Sequence, residues 1–134
     1  MPSFHAQLAV GSFKSALDSF ILDINQDTDS LGRPSSPVFA GKITIAFNTS
    51  ADPLLAEWMF SPSKQLSGTV TLRELEGQTL KTISFSNAYC IDMEESFDGT
   101  ANSAKMTTTI TISPEKITVG QVKHDNDWAL IEYT

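Results

Sequence analysis

Apolar residues in this chain recur at every second position, and that periodicity restricts it to a fold built from strands. In the first run Phe4, Ala6, Leu8 and Val10 share one side of an extended chain, with His5, Gln7 and Ala9 on the other. Phe20, Leu22 and Ile24 stand opposite Asp23 and Asn25, and Ile43, Ile45 and Phe47 opposite Thr44, Ala46 and Asn48. Val70 and Leu72 alternate with Thr69, Thr71 and Arg73. The longest run puts Ile83, Phe85, Tyr89, Ile91 and Met93 on one face and Ser84, Ser86, Ala88, Cys90 and Asp92 on the other. Met106, Ile110 and Ile112 face away from Thr107, Thr109 and Thr111, and a short Ile117-Thr118-Val119 segment ends at Gly120. About seven half-buried strands in so short a chain predict an antiparallel β-barrel or sandwich. Thr and Ser outnumber charges on several polar strand faces. Such a face suits a wet channel, an edge that pairs with another chain, or an ordinary solvated exterior.

One segment breaks the alternation. Asp52 is an N-cap candidate and Pro53 suits the first helical position. Leu54, Leu55, Trp58 and Met59 then share a face at helical spacing, and Pro62 closes the segment. The pattern predicts one short amphipathic helix whose aromatic face plugs an open end of the barrel. The fold class expected is therefore mainly β: a small antiparallel barrel with one short α-helix, formed by residues 1–134 as a single domain.

The totals exclude several functions. A formal charge of −7 and a pI near 4.6 argue against a nucleic-acid partner, whose phosphates demand Lys and Arg, and against anionic membrane surfaces. The lone Cys90 rules out an intrachain disulfide and a cysteine-built zinc site, and its apolar run suggests a buried, inert thiol. No basic region followed by an apolar run suggests a signal peptide, and no stretch approaches the roughly 18 apolar residues of a membrane span. The expectation is a protein made in the cytoplasm that leaves it only by a route needing no signal.

The stretch Gln26, Asp27, Thr28, Asp29, Ser30, Leu31, Gly32, Arg33, Pro34, Ser35, Ser36 is too long and too particular for a plain hairpin turn. Its Asp, Thr and Ser side chains can bond nearby backbone, Gly32 permits a positive φ, and Pro34 stiffens the residues after it. Loops of this length in a small domain are mostly functional or disordered. The alternatives are a projecting arm that docks on something and a solvated surface loop.

Catalytic chemistry finds little support. His124, beside Asp125, Asn126 and Asp127, lacks the convergent ligands of a zinc site. Asp27 and Asp29 fail the calcium-loop pattern, since position 31 is Leu and no glutamate closes a twelve-residue loop. There is no phosphate loop, serine elbow or cysteine–histidine pairing. The reading is no catalytic residue, no metal and no cofactor.

Taken in order, several segments form a pattern: Ser3-Phe4-His5-Ala6; Gln26-Asp27-Thr28-Asp29 with Gly32-Arg33-Pro34-Ser35-Ser36; Glu57-Trp58-Met59 with Pro62; Phe85, Asn87-Ala88-Tyr89, Glu95 and Phe97. Ile112-Ser113-Pro114-Glu115-Lys116-Ile117, Gly120, His124, Asn126 and Trp128 come next. This closely resembles the tube protein of type VI secretion systems, the TssD or haemolysin-coregulated protein (Hcp) family, in the subtype carried by Bacteroidetes. The resemblance runs from about residue 3 to residue 128, and the tail 129–134 is assigned no role. It implies a barrel with one helix, assembled as a homohexameric ring whose rings stack into a hollow tube. Such a tube lies inside a contractile sheath, carries a spike protein at its tip, and is ejected into a neighbouring cell with some effectors in its lumen. Catalysis is not expected of the subunit, and export is mechanical, which fits the missing signal peptide. Rings that close use heterologous contacts between different patches of one chain. Residues 26–37 are then expected to reach the adjacent subunit or the next ring, with Arg33 pairing there with a carboxylate or carbonyls. The acidic balance makes such assembly salt-sensitive.

Three other readings compete. A phage-like or other contractile-injection tail tube shares the architecture and differs in context. A monomeric β-sandwich binding module would use Trp128, Tyr133 or Phe13 as exposed platforms. A hydrolase would use Asp27, Asp29 and His124.

Overall fold

The computed structural model describes residues 4–35, 39–74, 76, 78–100, 105–126 and 128. In chain order the elements are β1 (Phe4–Val10), β2 (Phe13–Leu17), β3 (Ser19–Asn25), β4 (Phe39–Asn48), α1 (Leu54–Phe60), β5 (Leu66–Glu74), β6 (Thr79–Asp98), β7 (Lys105–Ser113), β8 (Lys116–Val119) and β9 (Val122–Asp125). The fold is mainly β with one short helix, as the alternation requires. Every ladder is antiparallel, and the strands run β2-β1-β5-β6-β7-β4-β3, with β8 on β6 and β9 on β8.

The expected barrel is corrected in one respect: the hydrogen-bonded ladder is not closed. Its terminal strands β2 and β3 are consecutive in sequence, separated only by Asp18, and one residue is too short a link for a hairpin turn between them. The corner is held instead by the Asp18 N–H, which donates to the Ala46 carbonyl at 2.8 Å. β2 therefore belongs to one half of the sheet, through β1, and β3 to the other, through β4.

The 20-residue β6 joins the two halves. Its first part pairs with β5 and β8, and from Tyr89 onward it pairs with β7. The switch falls at Asn87, whose φ of 55° lies in the left-handed region, with a register shift between Leu66 and Gly68 beside it. The single parity expected for this run is overturned there. Ile83 and Phe85 are buried, but beyond Asn87 it is Ala88 and Cys90 that face the core, while Ile91 is exposed. One residue out of extended conformation exchanges the two faces as far as Cys90, and the register shift between Cys90 and Asp92 then brings Met93 back against the core.

The core is a single cluster that includes Leu8, Val10, Ile43, Ile45, Phe47, Val70, Ile83, Phe85, Ile110, Ile112 and Ile117. Phe13 is buried with its ring 5.5 Å from that of Phe47, so it is a core residue and not an exposed platform. Gly68 is required by a close approach: a Cβ there would run into the Ala9 carbonyl oxygen and come within 2.9 Å of the Phe85 ring.

Candidate functional site

The loop between β3 and β4 is organised around one carboxylate. Asp29 Oδ1 accepts from the N–H groups of Leu31 at 2.9 Å and Arg33 at 3.0 Å, and Oδ2 accepts from Arg33 Nε at 2.9 Å. Backbone bonds close the same turn: Asp29 N–H to Arg33 O at 2.8 Å and Gly32 N–H to Asp29 O at 3.0 Å. Gly32 has a φ of 84°, which an L side chain adopts only with strain. Lower down, Thr28 and Pro34 form an antiparallel bridge, and the Ser35 N–H donates to Asp27 O at 2.8 Å. The arm is a miniature hairpin with an Asx-type tip.

The electrostatics agree with the geometry. The backbone N–H of Arg33 does most to hold the Asp29 carboxyl below its ordinary 3.8. Desolvation opposes this, while the Leu31 N–H, the Arg33 side chain and the Gly32 N–H reinforce it. Within the single chain Arg33 thus commits its Nε to Asp29, although its side chain is 70 % exposed. Sequence reasoning overlooked Leu31, which is 75 % exposed at the tip. Its signal was an apolar residue between Ser30 and Gly32 in a polar stretch. Gln26 and Asp27 are exposed at the base, and Ser36 lies outside the described residues.

The helix is fixed from the other side of the fold. Its first turn is held by Asp52, whose Oδ1 accepts from the Leu54 N–H at 2.9 Å, so the helix proper begins one residue after Pro53. Leu55 and Trp58 are buried, and Leu54 and Met59 pack against the core cluster. Trp58 Nε1–H donates to the Ala88 carbonyl at 2.9 Å, within the segment that Asn87 turns inward. Asn87 is itself tied down, its Nδ2 donating to Glu115 Oε1 at 2.8 Å and its N–H to Ser67 Oγ at 3.1 Å.

His124 occupies a structural corner. Its Nε2 lies 3.1 Å from Asn126 Oδ1, and Asn126 Nδ2 donates to the Pro114 carbonyl at 2.9 Å. Trp128 stacks on Tyr89 with ring centroids 5.4 Å apart. Among the described residues no group of three or more His, Cys, Asp or Glu side chains converges as a metal would require. Nor is any helix among the described residues long and apolar enough to cross a membrane. Asp127, Tyr133 and the tail 129–134 lie outside the described residues.

These features, a bent two-part antiparallel sheet, one helix on β6 and a locked arm between β3 and β4, are matched elsewhere. The family described as "Hemolysin coregulated protein Hcp (TssD)" matches residues 2–129. The chain belongs to the TssD family. Its members are the tube proteins of type VI secretion systems. Hcp1 from Flavobacterium johnsoniae is 30 % identical, superimposes with a TM-score of 0.83, and the match covers 91 % of this chain and 99 % of that one. Hcp1 from Salmonella typhimurium shares the fold at 13 % identity and a TM-score of 0.69, over 87 % and 85 % of the two chains. The fold also matches, at 23 % identity and a TM-score of 0.63, a chain of the sheath–tube complex of an extracellular contractile injection system, PVC, over 91 % and 92 %. No curated protein matches the chain.

Proposed function

We propose that this chain is the structural subunit of the inner tube of a type VI secretion system, forming homohexameric rings that stack into a hollow, effector-carrying tube. The observation that carries the reading is the TssD match over residues 2–129, joined to the fold shared with Flavobacterium Hcp1. Residues 1–134 act as one tube-protein domain. The subunit assembles in the cytoplasm and leaves by sheath contraction. Its partners are further copies of itself, the sheath, the spike and the effectors. We assign it no catalytic role.

The arm formed by residues 26–37 is the inter-subunit or inter-ring contact. The Asp29–Arg33 lock prepares it before docking, so less ordering entropy is lost when it meets the next subunit. Leu31 supplies an apolar tip, and the outward part of the Arg33 guanidinium remains for a carboxylate or carbonyls of the neighbour. Deletion of residues 28–36 is expected to leave a folded chain that no longer forms rings or tubes by negative-stain microscopy. Intact tubes from that variant would contradict the arm's role. The likeness to the PVC tube–sheath assembly supports a second reading, a tube subunit of another contractile injection system. Neighbouring genes separate the two.

A further inference from the structure

The outer face of the half-sheet β2-β1-β5-β6-β8-β9 carries one continuous row of cross-strand partners: Lys14, Ala9, Thr69, Ser84, Thr118 and Lys123. A lysine stands at each end, and three hydroxyls and one methyl lie between. At the usual strand spacing the row spans about 24 Å. Two more cations share the face: Arg73, two residues beyond Thr71 on β5, and Lys116, two residues before Thr118 on β8. Asp125 is the one carboxylate of the face among the described residues, and it sits 3.9 Å from Lys116. Over β8 and β9 the surface forms an open depression of about 410 Å³, lined by Ser86, Lys116, Thr118 and Lys123 among others.

The rest of the chain has the opposite sign. The matching outer face of the other half-sheet has rows Ile21-Thr44-Thr111-Asp92 and Ser19-Ala46-Thr109-Glu94, which end on acids. In a molecule of net charge −7, four cations against one paired carboxylate on one flat face is a segregation of charge. Hydroxyls flanked by ammonium groups offer donors to carboxylates and bury little apolar surface, which suits a wet, reversible, charge-steered contact.

We infer that this face is a docking surface for an acidic protein partner, an activity that goes beyond building the tube. The cations at the two ends of the row engage carboxylates about a strand-sheet's width apart, and the hydroxyls between them bond the intervening polar groups. A polypeptide fits this pattern better than nucleic acid does, because its carboxylates can be spaced to meet a few separated cations, one of them already shared with Asp125, whereas nucleic acid brings a dense run of phosphates that so few cations leave mostly unpaired against an acidic chain.

The test uses the full chain and fluorescein-labelled poly-L-glutamate, followed by fluorescence anisotropy at about 20 mM salt, where surface charges are little screened. The double reversal Arg73→Glu with Lys123→Glu is expected to weaken binding about tenfold or more. A charge-matched control off the face, Lys42→Glu with Lys64→Glu, is expected to change it less than about threefold. The neutral pair Arg73→Gln with Lys123→Gln, checked for folding by circular dichroism, keeps the test valid if the reversal disturbs the sheet. Equal losses in the two doubles, no binding of poly-L-glutamate, or tighter binding of a DNA oligonucleotide would each overturn the proposal. So would self-association abolished by the face double with poly-L-glutamate left unbound, since the occupant would then be a second copy. Ring formation is measured on the same samples by light scattering, so failure of the docking face and failure of the tube reading are read separately.

Discussion

Asn87, Trp58, Cys90 and Asp29 each do a job that their residue type alone does not announce. Trp58 is buried and gives its indole N–H to Ala88 O, so Trp58→Phe removes the donor and leaves a buried carbonyl unpaired. A loss of about 1–3 kcal/mol in urea unfolding is expected, most of it from that orphaned acceptor. Asn87 has a positive φ, so Asn87→Ala is expected to cost about 1–2 kcal/mol by the same measurement. Asn87→Gly should cost less, because it relieves the strain while losing the bond to Glu115. Burial pushes the Cys90 thiol up to about 11 from an ordinary 9.0, so in the folded chain it stays neutral where an unfolded thiol ionises. Its contribution to stability is complete below pH 9 and is lost as pH rises toward 11, with a ceiling of about 3 kcal/mol. Cys90→Ala should flatten that part of the stability–pH curve, and the wild-type thiol should react with a disulfide reagent only as fast as the chain opens. Asp29 behaves in the opposite sense. Its carboxyl is held below 3.8, so the order it gives the arm persists above that pH and is lost as pH falls through the lower folded value. Carbon-detected NMR titration of the Asp29 carboxyl should find a midpoint under 3.8. Asp29→Ala should abolish protection of the Leu31 and Arg33 amides without lowering the global melting point much.

At the scale of elements, β5, β6 and the arm between β3 and β4 set the architecture. Gly68 on β5 admits no side chain against Ala9 and Phe85, so Gly68→Ala is expected to cost about 2–3 kcal/mol by overpacking and to shift the β1–β5 register. The strands themselves were legible: alternation at Ile43, Ile45 and Phe47, or at Ile110 and Ile112, has no helical reading, and these residues are all buried. So was the break from Asp52 to Pro62, because Leu54, Leu55, Trp58 and Met59 repeat at helical and not strand spacing. The face reversal within β6 was not legible. Nothing in Ser86-Asn87-Ala88 distinguishes an extended asparagine from a left-handed one until tertiary partners, Ser67 and Glu115, are known. The open ladder was equally hidden, since it depends on which strands lie at the ends of the sheet. In the arm, turn chemistry at Asp29, Gly32 and Pro34 was readable, but the capture of Arg33 by Asp29 and the exposure of Leu31 come from the hairpin geometry and not from spacing.

At the scale of the whole molecule, the chain has TssD family membership, a bent sheet with a charge-segregated exterior, and a preformed arm that reaches beyond its own core. A monomer has little use for an apolar tip held rigidly in solvent, whereas a subunit that meets its own copies has an immediate one. The acidic total implies that association among copies strengthens with salt where like charges face one another and weakens where the basic face is involved. The absolute mass of the purified chain by light scattering, with negative-stain microscopy of the same sample, bears most directly on the tube. A tube subunit should give particles of six subunits with a ring outline and a central hole, lost in the variant lacking residues 28–36. A monomer that persists at the highest attainable concentration, with no rings on the grid, would contradict that assignment.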